Sequence, residues 1–214
     1  MKYYETKNIK NIVLVGGAKA GKSTLAECMM FEGGVISRMG TIENGNTVSD
    51  FHEYEQERQN SIFSTIMHTE WRGTKINIID TPGLSDYIGQ ATPGFRVADT
   101  AVLLLGAQHG VDVGAEVMMR YLRKRNKPTI MAVNQIDHPK ADFDKTIEEI
   151  KSQFSENVVL MQYPYNSGEG FDSIIDLLKM IMYKFSPTGG KPEKLPIPAE
   201  EKEKADELHN ILVE

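Results

Sequence analysis

Cysteine is nearly absent: Cys28 is the only one in 214 residues. A single thiol excludes an intramolecular disulfide and suits a reducing compartment. Long hydrophobic runs are missing as well. None approaches the roughly 18 residues that a membrane-spanning helix needs. The first residues, Met1-Lys2-Tyr3-Tyr4-Glu5-Thr6-Lys7-Asn8, have no apolar core of a signal peptide. A cytoplasmic protein without a membrane segment is expected. Positive charge is in deficit, with a net charge of −6. That argues against a broad nucleic-acid footprint and a sequence-specific nucleic-acid reader, though not against a local basic patch. Repeats and low-complexity tracts are also lacking, and the length suits one domain or one with a small annex.

What the chain does have is Gly16-Gly17-Ala18-Lys19-Ala20-Gly21-Lys22-Ser23. This fits G-x-x-x-x-G-K-[ST], the loop that wraps nucleotide phosphates. Ile9 to Val15 before it is apolar and β-branched and reads as a strand. Ser23 to Phe31 after it reads as a helix. Strand, Gly-rich turn and helix start together aim backbone N–H groups and a positive dipole end at an anion. Lys22 would reach the β- and γ-phosphates, and the Ser23 hydroxyl would bind Mg²⁺. A plain Gly-rich turn that starts a helix is the bland alternative.

Gly33 to Asn60 is polar and irregular, and a connection of that length is usually functional or mobile. Ser61 to Trp71 predicts a strand, Arg72-Gly73-Thr74 a hairpin turn, and Lys75 to Asp80 the second strand of the hairpin. Ala101 to Leu105 and Pro128 to Val133 read as buried strands. Val113 to Asn126 and Phe143 to Phe154 read as amphipathic helices. Beyond them, the pattern predicts a strand over Val158 to Tyr163, a helix over Phe171 to Phe185, a Pro-rich arm over Ser186 to Pro198 and an acidic helix over Pro198 to Glu214. Alternating strands and helices imply an open, mostly parallel α/β sheet whose ligands sit at the strands' carboxyl ends.

Two further elements fall at such ends. In Asp80-Thr81-Pro82-Gly83, the carboxylate would hold Mg²⁺, through water, and Gly83 would let its N–H approach the γ-phosphate. Asn134-Gln135-Ile136-Asp137 resembles the N-K-x-D element of guanine-nucleotide-binding domains. An Asp carboxylate there accepts from guanine N1–H and the exocyclic amine, whereas adenine would leave it unpaired. Such readout can discriminate by about 10⁴-fold. Asn134 would stitch this loop to the phosphate loop.

Order, spacing and flanks resemble the amino-terminal GTP-binding domain of the translation elongation factor G family and its relatives, the tetracycline-resistance ribosomal protection proteins. Glu55-Gln56-Glu57-Arg58 resembles the E-Q-E-R that enters the family's first switch. Arg96-Val97-Ala98-Asp99 resembles its R-V-x-D, and Gly110-Val111 with Glu116 its G-V…E. Ile197-Pro198-Ala199-Glu200 and the acidic helix resemble an arm of its inserted subdomain. The resemblance implies a P-loop GTP-binding domain: a mostly parallel three-layer α/β/α sheet with a β-hairpin edge, followed by the start of an inserted α+β subdomain. The expected division is 1–157 for the core and 158–214 for the insert. The core would lack its last strand and helix. GTP or GDP and Mg²⁺ are the implied ligands, and the ribosome, met by the full-length protein, the implied partner. A monomer is expected.

Four departures fall on the chemistry. The residue after D-T-P-G, a water-orienting histidine in the family, is Leu84, which neither donates nor accepts. Loss of such a group costs typically about 10²–10⁴-fold in rate. Aligned through Arg58 and Ile62, the Thr of the first switch's R-G-I-T-I is placed at Phe63, which cannot ligate a hard cation. A slip would bring Ser61, Ser64 or Thr65 there instead. The N-K-x-D lysine is Gln135. Lys19 replaces a phosphate-loop Asp, either adding a cation beside the phosphates in place of a monovalent ion or pointing to solvent. The family's S-A-[LK] loop, which caps guanine O6, is not evident. Tyr165-Asn166-Ser167-Gly168 is a candidate substitute, but its surroundings favour the entry to the insert.

Two functions follow: a ribosome-acting translational GTPase, or a nucleotide-binding relative with weak or lost hydrolysis that serves as a ribosome-binding module. An ATP-dependent enzyme is disfavoured by Asp137.

Overall fold

The computed structural model describes residues 3–155, 157–187 and 189–214. They form two compact units, Met1–Leu105 with Val111–Asn134 and Gly106–Gly110 with Gln135–Glu214.

The first unit is built on a five-stranded sheet. Its strands are β1 (Ile9–Gly16), β2 (Thr65–Trp71), β3 (Thr74–Asp80), β4 (Thr100–Gly106) and β5 (Thr129–Asn134). Their order is β2-β3-β1-β4-β5. β1 runs parallel to β3 (Leu14 opposite Asp80) and to β4 (Gly16 opposite Leu104). β2 and β3 form the expected antiparallel hairpin at the edge, and its turn residues Arg72 and Gly73 both have positive φ. That backbone matches the twist of adjoining strands.

Both faces of β1 are buried, with Val13 and Leu14 at 0% exposure, because successive side chains point to opposite faces. Helix α1 (Lys22–Glu32) covers one face. Its Ala26 and Met30 join Leu14, Ile78, Met67 and Leu104 in one apolar cluster. On the other face lie α3 (Ile88–Val97), whose Gly94 rests against Val13 and Ile79, and α4 (Val113–Arg123). α3 and α4 meet through Phe95 and Tyr121, whose ring centroids are 6.4 Å apart. The Pro93-Gly94 pair hid α3 from the sequence, since both residues oppose helix interiors. A short helix, α2 (Glu53–Arg58), also lies within the stretch read as irregular.

The second unit carries α5 (Phe143–Gln153) and a four-stranded antiparallel sheet of β6 (Gln162–Pro164), β7 (Ser173–Asp176), β8 (Ile181–Lys184) and β9 (Glu193–Leu195). The strand expected over Val158 to Tyr163 lies at Gln162–Pro164 instead. The helix expected over Phe171 to Phe185 does not form. That segment is the β7–β8 hairpin, with Ile175 opposite Met182. An apolar run of this length satisfies both the 3.6 and the 2.0 period. Two things decide for strands: β6 and β9 are available as neighbours, and Asp176 closes the turn by accepting the Lys179 N–H at 3.0 Å. The acidic helix is α6 (Lys202–Val213), its Ala205 fully buried and Tyr163 donating to Glu201 at 3.0 Å. Among the described residues, no helix is long and apolar enough to cross a membrane.

Candidate functional site

The phosphate-loop sequence folds as a turn between β1 and α1. Gly21 occupies the N-cap of α1 in the left-handed conformation (φ 94°) and offers no side chain to cap the helix. α4 and α5, by contrast, are capped by the carboxylates of Asp112 and Asp142. The first turn of α1 also has no acidic residue. A helix start with uncapped amides and no competing carboxylate is suited to an anion.

Lys22 is buried, and its ammonium donates to the carbonyls of Gly16 (3.2 Å) and Gly17 (2.7 Å). Burial lowers its pKa, opposed by the nearby carboxylates of Asp80, Asp112 and Asp50. Ser23 donates to Asp80 Oδ2 at 2.6 Å. Burial pushes Asp80 up to about 6, while the Ser23 hydroxyl and Lys22 pull the other way. Thr81 is wholly buried and donates to the Leu14 carbonyl at 2.7 Å, which ties the D-T-P-G loop to β1. Gly83 follows in close approach to the phosphate loop. A Cβ there would lie 2.5 Å from Lys22 Nζ, 2.6 Å from the Gly17 oxygen and 2.7 Å from the Ala18 nitrogen. Asn134, ending β5, donates to the Ala20 carbonyl at 2.9 Å, as the stitching role requires. Gln135 and Asp137 belong to the second unit. Gln135 has φ 59°, and Asp137 is exposed in the turn that follows.

Beside the phosphate loop lies an open cleft, which Lys19, Lys22, Ser23, Asp50, Ser61 and Leu84 help to line. Ser61 Oγ lies 3.3 Å from Ser23 Oγ. Of Phe63 and its alternatives Ser61, Ser64 and Thr65, it is Ser61 whose hydroxyl stands beside Ser23. The Phe63 ring instead packs against His52, 4.9 Å between centroids, and is 40% exposed. The signal was in the sequence: Thr is the third residue after Arg in R-G-I-T-I, and the third after Arg58 is Ser61.

Asp50 is a residue the sequence reading passed over. It is buried, neither of its carboxylate oxygens has a well-formed hydrogen bond, and burial raises its pKa against the pull of the nearby Ser61 hydroxyl and Lys22. Asp80 Oδ1 is likewise unpartnered. Unpaired buried carboxylate oxygens are costly unless something meets them. With the hydroxyls of Ser23 and Ser61 they make a hard-oxygen set that fits Mg²⁺. Leu84 brings only carbon to this cleft.

The profile of the elongation factor Tu GTP-binding domain family matches residues 7–211. Elongation factor G 1 of Syntrophomonas wolfei is 34% identical over 209 residues, covering 97% of this chain and 31% of that protein. A crystal structure of a protein from Thermus thermophilus superposes with a TM-score of 0.88 at 24% identity. It covers 94% of this chain and 30% of that one, and supports the fold. The chain thus spans about a third of the length of these relatives. With a phosphate loop on an uncapped helix start, a Ser–Asp pair beside it and a match along nearly its whole length, the chain belongs to the elongation factor Tu GTP-binding domain family.

Proposed function

We propose that this chain is the guanine-nucleotide-binding domain of an elongation factor G-like protein that works on the ribosome in the cytoplasm. The observation that carries it is the uncapped start of α1 with Lys22, Ser23 and Asp80 gathered at one cleft. Lys22 and the α1 amides bind the phosphates. Ser23 and Ser61 would hold Mg²⁺ directly, and Asp80 and Asp50 through water. A Mg²⁺ ion held by these residues would supply positive charge beside the phosphates. Asp137 would read the guanine edge. Lys19, which helps to line the cleft, would place a further positive charge beside the phosphates. We also propose that residues 158–214 begin an inserted subdomain.

A second reading has its own support. Leu84 stands at the cleft where the family carries a water-orienting group, and a methyl-ended side chain cannot position water. On that reading the protein binds GTP as a switch ligand and hydrolyses it slowly or not at all. Phosphate release by the full-length protein, measured with and without ribosomes, separates the two. Ribosome-stimulated turnover supports the GTPase. Tight GTP binding without turnover supports the switch. Failure to bind GTP or GDP in preference to ATP overturns both.

A further inference from the structure

Glu27 is a carboxylate on α1, only 1% exposed. Its Oε2 accepts the N–H of Gly40 at 2.8 Å and its Oε1 accepts the N–H of Val48 at 2.5 Å. One carboxylate thus clamps both ends of the loop that Gly40 and Val48 bound. Charge-assisted bonds to backbone amides are among the stronger hydrogen bonds in proteins. The loop is also tied internally, by the Thr41 N–H to Asn46 Oδ1 at 2.8 Å and the Gly45 N–H to the Ile42 carbonyl at 3.0 Å.

The position on α1 matters. Glu27 follows Ser23 by four residues, so the two share a helix face. The element that carries the phosphate-site hydroxyl therefore also carries the acceptor for the first switch. From Val48 the chain runs directly to Ser49, whose carbonyl accepts from Thr65 Oγ1 at 3.0 Å, and to Asp50 at the cleft, whose carboxylate oxygens have no well-formed hydrogen bond. Further on, Glu55 repeats the device. It is buried, and its Oε1 accepts the N–H groups of Ile62 (2.8 Å) and Phe63 (3.0 Å), just past Ser61.

We propose that Glu27 is a positioning residue that latches the first-switch segment to α1, so that Asp50 and Ile42 are held at the phosphate cleft. Its consequence for Mg²⁺ rests on the nucleotide-binding reading above; the latch itself does not. Glu27→Gln keeps the shape but turns an amide NH₂ toward one of two backbone N–H donors. Val48→Pro removes one donor and leaves Glu27 in place.

The test is amide hydrogen exchange of the whole chain, free and with GDP and Mg²⁺, joined to the release rate of a fluorescent GDP in Mg²⁺ and in EDTA. Both variants are expected to speed exchange over residues 38–64 by about tenfold or more, with β1, β3 and β4 unchanged, as loss of a charge-assisted bond implies. The ratio of release rates in EDTA and in Mg²⁺ should fall by about as much, which simple loss of stability would not produce. Wild-type exchange over 38–64 in the variants overturns the latch. If Glu27→Gln unfolds the sheet, Val48→Pro decides by the same measurement. A wild-type chain that retains no fluorescent GDP sinks the nucleotide reading alone, because exchange in the free protein still tests the latch.

Discussion

Replacing Asp80 by asparagine should let the metal-free, nucleotide-free protein gain stability relative to the wild type as pH rises towards neutral, although it removes a residue of the site. Burial moves the Asp80 carboxyl from 3.8 to about 6 in the folded chain. Between those values the native state holds a proton that the unfolded chain has released. Its contribution to stability is fully present below about pH 3.8 and is lost as pH rises through about 6. The difference corresponds to about 3 kcal/mol, a large share of a typical domain's stability. Asparagine has the same shape, keeps an acceptor for Ser23 and cannot ionise. Comparing the pH dependence of the two proteins therefore cancels whatever the amide does to local contacts, and the titration of groups that do not interact with Asp80. Urea unfolding in EDTA at a series of pH values from about 4 to 8 measures this. The asparagine variant should gain on the wild type by about 2.4 kcal/mol across the series, nearly all of it below about pH 7. Adding Mg²⁺ with GDP should restore the wild type and help the variant less, since only ligand bound to the native state stabilises it. A stability difference that is flat with pH, or that falls as pH rises, would refute the argument that burial governs this carboxylate.

Gly83→Ala should weaken GDP binding by about tenfold or more, since two of the three atoms its methyl would meet are backbone, and backbone does not yield like a flexible side-chain tip. Calorimetric titration with GDP checks this, and thermal melting confirms that the fold is kept. Leu84→His should raise ribosome-dependent phosphate release by about 10²-fold or more if the GTPase reading holds, with nucleotide affinity nearly unchanged. Competition of GTP against ATP should lose most of its preference in Asp137→Ala; an unaltered preference would remove Asp137 from base recognition. Ile78→Ala, in the fully buried cluster beneath α1, should cost about 2–5 kcal/mol in urea unfolding.

The motifs that proved legible are those whose chemistry is local. A phosphate loop is readable because glycines, a lysine and a hydroxyl at fixed spacing shape one turn. That Asp80 lies beside the phosphate loop was legible because D-T-P-G ends a strand, and the fold puts that strand next to the one that carries the loop; its hydrogen bond with Ser23 was not. Asp50 and Glu27 gave no such signal. Asp50 is one acidic residue in a polar stretch, and Glu27 one on α1 whose hydrogen-bond partners lie 13 and 21 residues away in the chain. Ser61 stood with Ser64 and Thr65 as an alternative to Phe63, and only the fold brings its hydroxyl to Ser23. The β7–β8 hairpin was unreadable for another reason: its side chains suit either period, and pairing with β6 and β9 is a long-range event.

By itself, then, the sequence determined the α/β alternation, the hairpin edge, the phosphate loop with its lysine and serine, and the loss of the family's histidine at Leu84, because these are properties of short segments. Only the tertiary structure decided which hydroxyl stands beside Ser23, which carboxylates are stripped of water at the cleft, and that Glu27 fastens the first switch to α1. Burial and hydrogen-bond partnership belong to pairs of residues far apart in the chain. Their energies exist only once the sheet has brought those residues together.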